Sequence, residues 1–244
     1  MSNVAPGKII ALDAHDLSTV VWSYDTPGFV SNALTVIGTT LIAGDSTGTV
    51  YVFDTAATLA NPAEPEPTAT WSLPGVLGSS AGSDLWSVSE AIALDGSYVM
   101  TVWDLNAATA YLATLQAATP IPGSLNLVPV YAGLSQGLSA GFLGVRLLAG
   151  PPVVQQRTAD GAATLAINAI ATVLQVRAAD GSIAQSFPVP NTEVDEPCYV
   201  QGELSLDPDN NQLWFGDGDN RLYCLDPQFC RGERDAGLGG LQHW

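Results

Sequence analysis

The chain has 244 residues, 47% hydrophobic and 13% charged, enough to bury a large core in one domain. Its 24 acidic residues outweigh 7 basic ones, for a formal net charge of -17. Such a surface repels phosphate backbones and argues against a nucleic-acid partner, while it suits a cationic partner or substrate.

The opening residues MSNVAPGK hold one lysine and no apolar run, so they do not read as a secretory signal. Two strand-like runs follow, IIAL and TVVWSY, separated by a polar turn. The eight-residue pattern around the first of them, GKIIALDA (7–14), recurs as GTVYVFDT (48–55) and NRLYCLDP (220–227). Weaker copies are YVMTVWDL (98–105) and ATVLQVRA (171–178). Start-to-start spacings are 41, 50, 73 and 49 residues, the period of propeller blades of about four strands each. The 73-residue interval predicts a blade that has lost the pattern.

Each copy has a chemical logic. Its β-branched and aromatic residues suit a strand packed on both faces, and its closing Asp can accept backbone N–H groups of the next turn. Ahead of the second copy, ALTVIGTTLIAGDSTG predicts two strands with a turn at GTT; TATWSLPG (68–75) predicts an outer strand after it. Between them, residues 59–70 (LANPAEPEPTAT) read as a proline- and acid-rich loop insert over one rim, extended by two Glu-Pro steps. Residues 105–145 carry no charge, which predicts doubly buried strands or an apolar contact face. Prolines 120, 122 and 129 interrupt that stretch, so no run reaches the ~18–20 apolar residues of a membrane-spanning helix. Before the last copy, QGELSLDPDNNQLWFGDGDNRLY gives two more strands. GGLQHW, with Gln242, reads as a weak outer strand.

The combination hhALDA…hhWSYD, preceded by a Gly-Asp/Ser turn, resembles the quinoprotein-type (pyrroloquinoline-quinone) propeller repeat. The resemblance is good over residues 7–75 and 198–227. It implies an all-β fold, a single β-propeller over residues 1–244, with outer-strand tryptophans (Trp22 and Trp71 in matching positions) docking neighbouring blades. Six blades of four antiparallel strands are expected, with five or seven as alternatives, one blade being closed by both termini. The quinone dehydrogenases of that family are longer and carry adjacent cysteines, absent here. Quinone-dependent oxidation is therefore not expected.

The candidate site residues are acidic. Asp207, Asp209, Asp217 and Asp219 are close in sequence and present hard oxygens of the kind calcium takes, although turn chemistry explains them equally. His15 and Asp16, in LDAHDLST, are a candidate acid–base pair at a turn. No cofactor is expected beyond that calcium. Cys198, Cys224 and Cys230 form no zinc pattern; a cytoplasmic protein with reduced cysteines is the expectation, or a periplasmic or secreted one with a Cys224–Cys230 bridge if a signal has been removed. The functional reading is a non-catalytic binding or scaffold propeller that engages a protein partner or small ligand at the channel mouth. The alternatives are a hydrolase, lyase or isomerase working through channel-mouth carboxylates, and a lectin-like sugar binder.

Overall fold

The computed structural model describes residues 6–30, 34–78, 85–105, 107, 109–116, 125–132, 149–157, 161–169, 172–189, 200–217 and 221–225. These form five antiparallel sheets in chain order. The first holds β1 (Gly7–Leu12) and β2 (Val20–Thr26). The second holds β3 (Thr35–Ile37), β4 (Thr40–Gly44), β5 (Thr49–Asp54) and β6 (Ala69–Ser72). The third holds β7 (Trp86–Val88) and β8 (Ile92–Leu94), which pair the same neighbour and act as one interrupted strand. It continues with β9 (Ser97–Asp104), β10 (Thr109–Gln116) and β11 (Leu125–Ala132). The fourth is β12 (Val153–Arg157), β13 (Ala163–Asn168), β14 (Thr172–Arg177) and β15 (Ile183–Pro188). The fifth is β16 (Val200–Asp207), β17 (Gln212–Asp217) and β18 (Leu222–Leu225). Within each sheet, strands neighbour in space as they do in sequence, the order found within a propeller blade, and each sheet is called a blade below.

Between successive blades lie four apolar clusters. Trp22, Ile9, Tyr51 and Phe53 join blades one and two, and Trp71, Trp86, Val88 and Met100 join two and three. Trp103, Leu112, Leu165 and Ile167 join three and four; Val173, Val200, Phe215 and Tyr223 join four and five. A fully buried side chain of this size contributes roughly 1.5–3 kcal/mol relative to exposure, so these faces hold the array together. The expected docking of Trp22 and Trp71 against the next blade is present, but not in matching register. Trp71 faces Val50, whereas Trp22 faces Ala11, and the residue facing Ile9, the counterpart of Val50, is Tyr24. A shift of two keeps the same side of the strand, so either residue reaches the next blade.

Three further expectations change. SYVMTVWD is the second strand of its blade, β9; the third is β10. Both central strands of a blade are buried on both faces, so their apolar runs look alike, and the 73-residue interval holds the rest of blade three and the start of blade four. Among the described residues it contains no extra blade. The neutral stretch does supply a doubly buried strand: Ala110, Leu112, Ala113 and Leu115 of β10 are all buried. The insert is shorter than its composition indicates. Thr55–Ala60 forms helix α1, capped by Asp54, whose carboxylate accepts from the Ala56 and Ala57 N–H groups. Ala69 and Thr70 already belong to β6, leaving residues 61–68 as the loop. A second short helix, α2 (Leu73–Val76), is capped by the Ser72 hydroxyl.

The blade closed by both termini is not formed by the described residues. β1 pairs only β2, and the fifth sheet ends at β18; Gln242 and the GGLQHW segment lie outside the described residues. No helix among the described residues is long and apolar enough to cross a membrane.

Candidate functional site

Strand direction alternates within a blade, so its turns fall on two opposite edges of the array. One edge gathers the second-to-third-strand turns and the links between blades. There the Gly44-Asp45 turn receives the incoming chain of blade one. Asp45 Oδ1 accepts from Thr47 N (2.9 Å), Thr47 Oγ1 (2.6 Å) and Thr49 N (3.1 Å). Its Oδ2 accepts from Gly28 N (3.2 Å) and the Tyr51 hydroxyl (2.8 Å). Asp217 repeats the arrangement in blade five, accepting from Arg221 N (2.8 Å) and the Tyr223 hydroxyl (2.7 Å). Burial, and then these carboxylate contacts, push the Tyr51 phenol far up and that of Tyr223 up to about 12. In blade three, Asp104 takes the Ala107 N–H (3.0 Å) and raises Tyr111 by its charge after burial has done so. The buried carboxylates of this edge are structural clamps.

The opposite edge is different. It carries the first-to-second and third-to-fourth-strand turns, and its acids are exposed or half-buried. Blade one presents Asp13 and Asp16, blade two Asp54, Glu64 and Glu66, and blade three Asp95. Blade four adds Asp180, and blade five Asp207 and Asp209. Among described residues, the cations here are Arg157, bonded to Asp95 at 3.0 Å, and Arg177, which donates to the Ser182 hydroxyl at 2.9 Å. Hydroxyl and N–H donors of Ser18, with the Thr19 hydroxyl, hold the Asp16 carboxyl below its ordinary range; the Ser182 contacts do the same for Asp180. Asp16 and Asp180 are thereby held in the ionised form, and the edge is an acidic band drawn from all five blades.

The residues singled out in the sequence divide between the edges. His15 and Asp16 share the exposed turn after β1, where the His15 N–H donates to Asp13 (2.7 Å). Asp207 and Asp209 sit in the turn before β17, with the Asp209 N–H on Asp207 Oδ1 (3.0 Å). Asp217 lies at the far end of β17, several residues of extended chain away at about 3.3 Å each. The structure therefore does not bring Asp217 to Asp207 and Asp209; Asp219 lies outside the described residues. Among the described residues, no three His, Cys, Asp or Glu side chains converge on a common point. Cys224 lies half-buried in β18; Cys198 and Cys230 lie outside the described residues. The acidic band was missed in the sequence because no single stretch contains it. Numbering the turns, once strands are assigned, would have revealed it.

No family model matches the chain, and no curated protein matches it in sequence. Among solved structures it resembles BamB from Moraxella catarrhalis, with a TM-score of 0.52 and 12% identity over 92% of this chain and 54% of that one. A chain of the mitotic checkpoint complex matches with a TM-score of 0.55 and 11% identity, over 90% of this chain and 56% of that one. The extracellular domain of BT4673 from B. thetaiotaomicron matches with a TM-score of 0.50 and 16% identity, covering 84% of this chain and 22% of that one. At these identities the likeness concerns the fold, which is propeller-like. The chain spans about half the length of the first two neighbours.

Proposed function

We propose that the chain is a non-catalytic binding or scaffold member of the quinoprotein-like propellers, working without a bound cofactor. It engages a protein partner with a basic surface across the acidic edge. The observation that carries this reading is the partition of carboxylates. Asp45, Asp104 and Asp217 of the clamp edge are buried and consumed by Tyr or backbone donors, whereas every blade places exposed or half-buried carboxylates on the other edge. A field of one sign over such a surface steers and selects a partner of the opposite sign. The fold likeness to a component of the mitotic checkpoint complex supports a role in assembly. A cytoplasmic setting belongs to the same reading.

The test compares basic proteins retained from lysate by the immobilised wild-type chain and by an edge-neutral variant (Asp16→Asn, Glu64→Gln, Glu66→Gln, Asp180→Asn, Asp209→Asn). The expected result is a defined basic partner held by the wild type and lost by the variant. It is also released in about 1 M salt, where the screening length is about 3 Å. Equal retention by both proteins, at matched thermal stability, overturns the reading.

A further inference from the structure

On the faces turned toward the next blade, blades two and three carry apolar pairs. Val52 lies opposite Ala69, 1% and 5% exposed, and Leu112 lies opposite Val128. Aligning GTVYVFDT (48–55) with ATVLQVRA (171–178) puts Gln175 where Val52 stands, and Gln185 lies opposite it on β15. Blade four therefore turns a pair of amides toward blade five where blade two turns methyl groups toward blade three.

A third amide joins them. The register of β12 on β13 shifts between Val154 and Gln156, so Gln155 is the extra residue of a bulge, a device that re-aims a side chain. Gln155 is buried, and its Oε1 accepts from Gln175 Nε2 at 2.8 Å. The Oε1 atom of Gln185 is buried as well, yet no donor of a described residue reaches it. A carbonyl oxygen that leaves solvent without gaining a donor destabilises the fold, which is why such atoms are almost always paired.

The three amides border one cavity, together with Phe187 and, from blade five, Leu213 and Leu225. Its volume is about 10 Å³. That is close to the roughly 10–15 Å³ needed to hold one water molecule. The chemistry of the wall selects water over other guests. An apolar guest would leave Gln185 Oε1 unpaired. A hard cation takes several charged or carbonyl oxygens, and no Asp or Glu borders the cavity. Water can donate to Gln185 Oε1 and to the second lone pair of Gln155 Oε1, and can accept the remaining hydrogen of Gln175 Nε2. Three bonds are the usual complement of a buried water.

We propose that the junction of blades four and five binds a single buried water through Gln155, Gln175 and Gln185. The water takes the place that side-chain methyl groups fill at the corresponding point between blades two and three. The site lies between blades, so it is independent of the acidic edge and of any partner held there.

A high-resolution crystal structure of the wild-type chain and magnetic relaxation dispersion of water oxygen in its solutions test it. The expected density is one water within about 3 Å of Gln185 Oε1. Relaxation dispersion counts waters held longer than the protein takes to tumble, and Gln185→Met should lower that count by one with far-ultraviolet circular dichroism unchanged. Methionine keeps the side-chain length but offers only a weak acceptor. Gln116→Met, at the exposed end of β10, should leave the count as it is. A wild-type cavity without that density overturns the proposal, as does a Gln185 side chain turned so that its Oε1 meets a protein donor. An unchanged count in folded Gln185→Met, or an equal fall in Gln116→Met, overturns it equally. If Gln185→Met does not fold, the wild-type density decides alone.

Discussion

Tyr51 donates its phenolic hydrogen to Asp45, six residues before it, at 2.8 Å, and Tyr223 does the same to Asp217, also six residues before it, at 2.7 Å. In both blades the Asp closes the second strand and the Tyr sits inside the third, so the pair locks the turn between the two central strands. Blade three keeps the pieces with one more residue between them, Asp104 and Tyr111. Blade four replaces them by Asn168 and Leu174, and there the turn is tied across blades instead. The Asn168 carbonyl accepts from Trp103 Nε1 at 3.0 Å, and its amide donates to the Val200 carbonyl at 3.4 Å.

Removing a clamp hydroxyl leaves a buried carboxylate short of one donor. Tyr51→Phe and Tyr223→Phe should each lower stability by about 1–3 kcal/mol in urea or guanidinium unfolding. The two sites lie in different blades and share no partner, so the double variant should show the sum. A change below a few tenths of a kcal/mol in either variant would remove the clamp role.

The same phenols make stability depend on alkaline pH. Folding raises their pKa above the ordinary value of 10, so their contribution is complete below that value. As pH rises, the unfolded chain ionises first and stability falls, through about 12 for Tyr223 and beyond it for Tyr51. The Tyr51→Phe/Tyr223→Phe protein should show a shallower loss of thermal midpoint above pH 10 than the wild type. A residual slope should remain, since burial also raises Tyr24 and Tyr111. Identical slopes in the two proteins would contradict the assignment.

The repeat was legible because its third strands carry a spaced code: a Gly or Asn, an apolar run, then Asp. The full code located β1, β5 and β18, while the apolar run alone located β14, where Arg177 stands in the Asp position; the closing Asp does accept N–H groups at Asp13 and Asp54. It failed at β9, whose run SYVMTVWD is as apolar as a third strand because Val99, Met100, Val102 and Trp103 are buried on both faces. A better marker was an Asp followed six or seven residues later by a Tyr, which fits Asp45 and Tyr51, Asp217 and Tyr223, and Asp104 and Tyr111, and so points to β10. Helix α1 was hidden by its proline-rich sequel, although an N-capping Asp before TAATLA is a helix signal. The acidic edge depends on which side of the array each turn falls, and that becomes readable only after every strand has been placed.

Trp103 and Trp71 give an internal comparison. Both are buried between blades, but Trp103 Nε1 reaches the Asn168 carbonyl, while Trp71 Nε1 has no acceptor within reach among the described residues. Trp103→Phe removes ring volume and leaves a buried carbonyl without that donor; Trp71→Phe removes volume and also an uncompensated N–H. Denaturant unfolding should therefore rank Trp103→Phe as the more damaging by about 1–2 kcal/mol. The reverse order would mean that packing volume alone sets the cost.

Gly48 is required twice over at the clamp turn. Its φ of +78° lies in the left-handed region, which costs a residue with a side chain roughly 1–2 kcal/mol. A Cβ there would also stand 2.8 Å from Trp86 Cγ, in the core between blades two and three. Gly96 has the same φ of +78° but open space around it. Gly96→Ala thus measures the backbone cost alone, and Gly48→Ala measures that cost plus displacement of the indole. The expected outcome is a loss of about 1–2 kcal/mol for Gly96→Ala. Gly48→Ala should lose a further ~1–3 kcal/mol from overpacking, with a change in tryptophan fluorescence seen in this variant alone. Equal losses with unchanged fluorescence would show that the Trp86 ring moves aside freely and that the blade-two junction is looser than its burial indicates.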